Sequence, residues 1–141
     1  MILLDTDHIS ALQADGGAAR DHLLRKMDAS EDQDFAVTVI SLEEQMRGWL
    51  AEIHGELDFT RQVGGYERLA GLTSFYSHWA VVGYTTKAAS QTIQLKKAKV
   101  RIGTMDLKIA SIAKSLNVLL LTANEKDFGQ VPGLRRENWL R

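Results

Sequence analysis

The sequence predicts an α/β protein with a three-layer α/β/α fold and a central, mostly parallel sheet. Short apolar runs of strand length alternate with amphipathic stretches whose apolar residues recur at helical spacing. Polar residues directly follow these runs, and open α/β sheets bind their ligands beyond the carboxyl ends of the strands. The length of 141 residues and the 45% hydrophobic content fit one domain over residues 1–141.

The first elements place an acidic residue at the end of a buried strand. Residues 1–4 are apolar and predict a central strand that ends at Asp5. A short helix is expected next, because Ile9 and Leu12 are at helical spacing, and a second helix is expected over residues 18–27.

The middle of the chain predicts a second buried strand and two helical passages. Residues 35–40 are rich in β-branched and other apolar residues, as in a strand covered on both faces. Ser41 fits the N-cap of a helix that Gly55 ends. Residues 58–80 predict a mostly helical passage, although its three glycines argue against one continuous helix.

The last third predicts two more strands and two more helices. Residues 80–84 predict a short edge strand, and residues 86–99 predict a helix with a basic end. Thr104 is expected to cap the next helix, whose buried face includes Leu116. Residues 118–121 predict a buried strand, after which the chain closes with a basic tail.

Composition limits the chemistry that the chain can perform. Cysteine is absent, so any metal must be bound by oxygen or imidazole. No stretch reaches the roughly 20 apolar residues of a membrane span, and the first residues lack the basic flank of a signal peptide. We therefore expect a soluble, cytoplasmic protein with no membrane partner.

The charges are unevenly distributed although the net charge is only −1. Residues 1–95 contain 7 Lys and Arg against 14 Asp and Glu, whereas residues 96–141 contain 10 against 4. This asymmetry predicts a basic, phosphate-attracting rim beside an acidic site. The alternative is a set of solvated helix faces whose charges mix in space.

Four acidic residues are candidates for the site, and each has a local structural alternative. They are Asp5, Glu44, Asp106 and Asp127. Three lie at or near the carboxyl ends of predicted strands, and the other, Asp106, lies at the start of a buried helix whose N-terminus should point into the cleft. Asp5 and Asp127 suit turns or helix caps, and Asp106 suits the first turn of a helix. Glu44 could complete a capping box with Ser41.

The sheet topology would bring these carboxylates to one edge, where their charges repel. A hard divalent cation, Mg²⁺ or Mn²⁺, relieves that repulsion and prefers oxygen ligands. One or two such ions would suit the hydrolysis of phosphodiester bonds. Asp7 competes with Asp5 for the site, but residues two apart on an extended segment face opposite ways, so Asp5 is the predicted ligand.

Other common sites are not indicated. The four histidines lack metal-binding spacing, and no phosphate-binding glycine loop or nucleophile elbow is present. The tryptophans are expected in the core or an interface, although Trp139, in the basic tail, could stack on a base.

Four segments resemble the PIN-domain ribonucleases, and among them the VapC-type toxins of bacterial toxin–antitoxin pairs. In order they read ILLDTDHIS at 2–10, VISLEE at 39–44, IGTMDLKIA at 102–110 and LLTANEKDF at 120–128. Their order and spacing agree with the family across nearly the whole chain. The resemblance implies a PIN-like three-layer fold and Mg²⁺-dependent endoribonuclease activity. It also implies an RNA substrate, a cognate antitoxin whose tail occupies the acidic cleft, and a homodimer.

The resemblance also implies roles for individual residues. Asp5, Glu44 and Asp106 match the core metal-binding and catalytic acids, and Asp127 matches the fourth. Asn124 stands at a position that is often Asp, so whether Asp127 or Asn124 completes the site stays open.

Three neighbouring positions match less closely or have supporting roles. Thr6 and Ser41 match polar positions that often support the site, and Asp7 stands where Asn is more usual.

Two other functions remain open on the sequence alone. Residues 4–7 also resemble the D-x-D opening of haloacid-dehalogenase-like phosphatases, in which Asp5 would be the nucleophile. The second alternative is a non-catalytic relative that binds RNA or protein, since a fold does not fix a function.

Overall fold

The computed structural model describes residues 1–141 as one five-stranded sheet flanked by seven helices. The elements in chain order are β1 (Ile2–Leu4), α1 (Thr6–Gln13), α2 (Ala18–Ala29), β2 (Phe35–Thr38), α3 (Val39–Gly55), α4 (Gln62–Ser77), β3 (Ala80–Val82), α5 (Thr86–Lys97), α6 (Thr104–Leu116), β4 (Leu119–Leu121), α7 (Glu125–Phe128) and β5 (Arg136–Glu137). None of the helices combines the length and the apolar content needed to cross a membrane.

The central position of β1 is confirmed. The strand order is β3-β2-β1-β4-β5, and every neighbouring pair is parallel. Leu3 pairs with Ala36 on one side and with Leu120 on the other. Because all strands run the same way, their carboxyl ends meet at one edge, and the residues that follow β1, β2 and β4 become neighbours.

The alternation of side chains along β1 divides the core into two layers. Leu3 packs in a cluster with residues of α5 and α6, including Leu95 and Ile109. Ile2 and Leu4 point to the opposite face, where they pack with residues of α1, α2 and α4. The predicted α/β/α arrangement is therefore present, with the sheet between two sets of helices.

Two helix starts differ from the sequence prediction. The strand expected over 35–40 ends at Thr38, and α3 begins at Val39. Thr38 is the N-cap, because its hydroxyl accepts a hydrogen bond from the backbone N–H of Ser41 over 3.2 Å. Ser41 is thus inside the helix, and Thr104 is likewise the first residue of α6 rather than its cap.

Three further expectations need correction. The glycine-rich passage over 58–80 forms one continuous helix, α4, from Gln62 to Ser77. The basic tail contains an additional strand, β5, which pairs with β4 at the sheet edge. Leu116 is 44% exposed, because α6 ends there and Asn117 turns the chain away in a left-handed conformation.

The packing of α4 on α3 depends on one glycine. A Cβ added at Gly65 would lie 2.6 Å from Cγ1 of Ile53, whose side chain is only 2% exposed. Gly64 precedes it in the same helix and has open space around its Cα hydrogen. Close packing therefore requires glycine at position 65, whereas position 64 has room for a side chain.

We predict that Gly65→Ala lowers the free energy of unfolding by about 1–3 kcal/mol, because the new methyl group must displace a packed isoleucine. Gly64→Ala is the matched control and should be neutral or stabilising by up to about 1 kcal/mol, since alanine favours the helix. Chemical denaturation measures both variants. Equal effects of the two substitutions would contradict the close packing of α3 and α4.

Candidate metal centre

Asp5 lies where β1 ends and α1 begins, and it is almost fully buried at 5% exposure. Its Oδ1 accepts a hydrogen bond from the backbone N–H of Thr6 over 2.7 Å, which caps α1. Its Oδ2 accepts from the hydroxyl of Thr122 over 2.8 Å. Asp5 therefore caps the helix, as the structural alternative predicts, and it also lies at the carboxyl edge of the sheet. Its role as a metal ligand stays a prediction.

Glu44 lies in the second turn of α3, and the capping-box alternative for it is wrong, because Thr38 caps the helix. The hydroxyl of Thr6 donates to Oε1 of Glu44 over 3.0 Å and lies equally close to Oγ of Ser41. These contacts aim the Glu44 carboxylate at the start of α1, next to Asp5. Thr6 and Ser41 therefore lie beside the Glu44 carboxylate, and their supporting role stays a prediction.

Asp106 lies in the first turn of α6, close to Asn124 and Asp127. The side-chain N–H₂ of Asn124 donates to Oδ2 of Asp106 over 3.3 Å and to Oδ2 of Asp127 over 3.0 Å. Its carbonyl oxygen accepts from the backbone N–H of Asp127, which caps α7. Asn124 therefore links the two carboxylates.

Three of the four predicted acids come together in the structure. Carboxylate oxygens of Asp5, Glu44 and Asp106 all lie within 4.8 Å of one another. Asp127 lies beside this cluster and connects to Asp106 through Asn124. A role of Asp127 as fourth ligand stays a prediction.

The electrostatics of the three carboxylates show an excess of negative charge. Burial, followed by the charge of Asp7, raises the pKa of Asp5 to about 7. Burial is also the main cause that raises the pKa of Glu44 and of Asp106, and Asp127 adds to the effect on Asp106. None of the three forms an ion pair with Lys or Arg.

The donor set suits a hard divalent cation. Three carboxylates supply only oxygen ligands, and no basic side chain of the protein neutralises them. A bound cation would favour their charged forms and so reverse the pKa increases that burial causes. The residues present therefore fit such an ion.

Thr122 is a site residue that the sequence prediction did not single out. It is fully buried, its hydroxyl donates to Asp5, and its oxygen accepts from the backbone N–H of Asn124 over 3.1 Å. Its position directly after β4 was the available signal, because such residues face the ligand edge of a parallel sheet.

Two cavities border this region. An open depression of about 340 Å³ is lined by Glu44 and Asp106 and by two basic residues, Arg47 and Lys108. A larger groove of about 1020 Å³ lies between α1, α3 and α4, where Arg68 stacks on Trp49 with its guanidinium carbon 4.8 Å from the ring centroid. Only the smaller depression is lined by residues of the acidic cluster.

The all-parallel sheet, its strand order and the acidic cluster at its carboxyl edge define a PIN-like fold. The chain is similar over 98% of its length to the toxin–antitoxin complex VapBC of Salmonella typhimurium, solved bound to DNA, with 25% identity and a TM-score of 0.72 over 97% of that chain. VapBC-1 of Haemophilus influenzae has the same fold, with 22% identity, full coverage of both chains and a TM-score of 0.72.

Curated relatives point to the same group of proteins. The chain is 35% identical over 75 residues to the tRNA(fMet)-specific endonuclease VapC of Shigella flexneri, and 36% identical over 75 residues to that of Salmonella typhimurium. These matches cover 50% of this chain and 57% of each relative, so the chain spans little more than half the length of the curated relatives it matches. No family model matches the chain. The likeness to PIN-domain, VapC-type proteins that the four motifs predicted is confirmed.

We predict that Asp5→Asn stabilises the metal-free protein, and more so as pH rises. A folded-state pKa of about 7 against 3.8 for a free carboxyl means that the contribution of Asp5 to stability is full below pH 4 and is lost by about pH 7. The difference between the two pKa values corresponds to about 4 kcal/mol, so the advantage of the variant should grow toward that limit between about pH 4 and 7 and stay level above.

Chemical denaturation in EDTA, at several pH values, measures this difference. Asp28→Asn is the control for replacing an aspartate as such, because Asp28 is exposed near the end of α2. A pH-independent difference between wild type and Asp5→Asn would show that Asp5 is not held in a charge-destabilising environment.

Proposed function

We propose that the protein is a metal-dependent endoribonuclease, using Mg²⁺ or alternatively Mn²⁺, and that it is the toxin of a toxin–antitoxin pair. The observation that carries the proposal is the cluster of Asp5, Glu44 and Asp106, whose oxygens lie within 4.8 Å without a neutralising Lys or Arg. The names of the VapC relatives support the ribonuclease activity.

Asp5, Glu44 and Asp106 would bind the cation, with Asp127 as the fourth acid. When bound, the cation polarises the scissile phosphate and neutralises the charge that develops on it. The protein orients its ligands in advance, because Thr122 fixes one oxygen of Asp5 and Thr6 fixes one oxygen of Glu44.

Asp127 is our candidate for the group that accepts the proton of the attacking water, because one of its oxygens is free of hydrogen bonds within the protein. Its Oδ2 accepts from Asn124, whereas its Oδ1 has no hydrogen-bond partner in the protein. The hydrogen bonds of Asn124 to Asp106 and Asp127 would hold the two carboxylates at a fixed separation. In this proposal Asp127 would act as the general base.

The depression beside the cluster supports an RNA substrate. Arg47 and Lys108 line it together with Glu44 and Asp106, and Arg47 also pairs with Glu43. Basic side chains in this position would attract the phosphates on either side of the scissile bond, while the acids engage the metal. Initiator tRNA is the first RNA to test, because the curated relatives are named as tRNA(fMet)-specific.

A cognate antitoxin and cytoplasmic location complete the proposal. The antitoxin is supported by the solved VapBC complexes of Salmonella typhimurium and Haemophilus influenzae. An Arg side chain of the antitoxin would pair with the unneutralised carboxylates and so block the site. Assembly into a homodimer remains a prediction from the family resemblance.

The phosphatase alternative receives no support from the geometry. In a D-x-D phosphatase the second aspartate would face the substrate beside the nucleophile. Here Asp7 is engaged with His8 and with the backbone N–H of Ala123, and Asp5 is hydrogen-bonded through both oxygens. Neither carboxylate is arranged for attack on a phosphate ester.

We predict that Asp5→Asn, Glu44→Gln and Asp106→Asn each lower the rate of RNA cleavage by about 100-fold or more, because each removes a charged ligand. Purified protein incubated with labelled tRNA and unstructured RNA, with Mg²⁺ or EDTA, measures the rate. Asp28→Asn, far from the cluster in sequence and exposed, is the control and should cleave like wild type.

The same assay separates the alternatives. A non-catalytic relative would bind RNA but show no cleavage in Mg²⁺ by wild type or by Asp28→Asn. Equal cleavage by wild type and Asp5→Asn, with or without EDTA, would refute the metal-site proposal. Tight binding of beryllofluoride at Asp5 would instead favour the phosphatase.

We also predict that Mg²⁺ raises the melting temperature of wild type but not that of Asp5→Asn or Asp106→Asn. A ligand that binds only the folded state stabilises it in proportion to the logarithm of its concentration. Differential scanning fluorimetry with increasing MgCl₂, at constant ionic strength, measures the shift. A shift of the same size in all three proteins would indicate a nonspecific salt effect.

A further inference from the structure

His8 is a fully buried histidine that takes no part in the acidic cluster. Its Nδ1 lies 2.7 Å from Oδ1 of Asp7, and its Nε2 lies 3.1 Å from the backbone nitrogen of Trp139, 131 positions along the chain. A backbone nitrogen can only donate, so Nε2 accepts and the ring proton is on Nδ1, from which it is donated to Asp7. The histidine therefore joins a carboxylate near the site to the C-terminal segment.

Asp7 uses both oxygens as acceptors. Oδ1 accepts from the ring and from the backbone N–H of His8, the latter over 2.7 Å. Oδ2 accepts from the backbone N–H of Ala123 over 2.8 Å. Asp7 thus bridges the start of α1 and the turn that follows β4.

That turn carries side chains of the candidate metal centre on either side of Ala123. Thr122 donates to Asp5, and Asn124 donates to Asp106 and Asp127. The hydrogen bond from the Ala123 N–H to Asp7 therefore lies between Thr122 and Asn124, the two residues of the turn that contact the acids.

Trp139, the last residue in this series of hydrogen bonds, is itself fixed by burial and by contacts of its ring. It is 7% exposed, and its ring meets the ring of Phe35 edge-on, with 6.2 Å between centroids. Its indole N–H donates to Glu137 of β5, whose backbone oxygen accepts from the N–H of Thr122. The segment around Trp139 is thus fixed by the core and by the sheet edge.

We infer that Asp7 and His8 are positioning residues. Their hydrogen bonds fix the positions of the turn at Ala123 and of the segment at Trp139 relative to the acidic cluster. Asp7 fixes the turn directly, and His8 extends the connection to Trp139. The inference rests on the proposed function only where metal binding is the readout.

The bonding pattern requires a carboxylate at position 7. The Asp7 side chain meets donors on both sides, namely the His8 ring and backbone on one and Ala123 on the other. An asparagine has one acceptor oxygen and one N–H₂ group, so one side would face donor against donor. Keeping the two bonds to His8 would leave the N–H of Ala123 without an acceptor.

Electrostatics and hydrogen bonding predict opposite effects of Asp7→Asn on the stability of the metal-free protein. The substitution removes a negative charge close to Asp5 and so relieves repulsion in the metal-free protein. It also removes the acceptor of a backbone N–H beside the site. A local loosening at Ala123, in a protein that is not globally destabilised, is therefore specific to the positioning role.

Amide hydrogen exchange by NMR tests the two connections separately. In Asp7→Asn the amide of Ala123 should exchange at least about tenfold faster while that of Trp139 stays protected. In His8→Asn the new side chain can still donate to Asp7 but is too short to reach Trp139, so the amide of Trp139 should exchange faster while Ala123 stays protected. Asp28→Asn is the control and should change neither.

Two further readouts complete the test. Long-range ¹H–¹⁵N spectra of wild type should show the His8 proton on Nδ1 and not on Nε2. The apparent dissociation constant for Mg²⁺, from thermal stabilisation, should rise about tenfold in Asp7→Asn and stay unchanged in Asp28→Asn.

A proton on Nε2 of His8, or wild-type protection of Ala123 in Asp7→Asn, would overturn the inference. If Asp7→Asn does not fold, the inference is still tested by the tautomer of His8 in wild type and by the amide exchange rate of Trp139 in His8→Asn. Failure of wild type to cleave RNA would refute the proposed function while leaving the exchange and tautomer results intact. RNA cleavage together with unchanged Ala123 exchange in Asp7→Asn would refute the positioning role alone.

Discussion

The burial of one carboxylate at the end of the central strand is the constraint on which the site depends. Asp5 leaves β1 where α1 begins and where the first backbone N–H groups of the helix lack partners, and its side chain satisfies one of them by capping α1. Its second oxygen is satisfied by Thr122, from the neighbouring strand end. Both hydrogen bonds stabilise the charged form, yet desolvation and the charge of Asp7 exceed them, and the pKa of Asp5 rises to about 7.

The other two acids of the cluster add to this negative charge. Glu44 and Asp106 approach Asp5 from two other helices, and burial raises the pKa of each. Ion pairs with basic side chains would neutralise this charge, but the nearby Arg47 pairs with Glu43 at the surface instead. The fold thus keeps the three carboxylates available for a cation at some cost in stability, as is common at functional sites.

Local patterns in the sequence were sufficient to predict the first four strands and to single out Asp5, Glu44 and Asp106, which the structure brings together. Apolar runs of strand length identified β1 and β4, and a residue that directly follows such a run must lie at the carboxyl edge. The start of α3 was not predictable in this way. Val39 and Ile40 favour strands, yet they are helical because the Thr38 hydroxyl caps them and Ile40 packs in the core.

Other features depend on contacts between distant parts of the chain. The two residues of β5, Arg136 and Glu137, have no apolar pattern and become a strand only because β4 offers a free edge. The bond between His8 and the backbone of Trp139 joins residues 131 positions apart. A sequence read without related sequences contains no signal for either contact.

The order of the chain gives the C-terminal strand a particular consequence during synthesis. All four acids are translated before residues 136–139, which complete the sheet edge and reach back to His8. A ribosome-bound chain that lacks these residues can already contain every candidate ligand without the last support of the site. Until residues 136–139 have been synthesised, His8 lacks the backbone donor that Trp139 supplies, and one edge of β4 is unpaired.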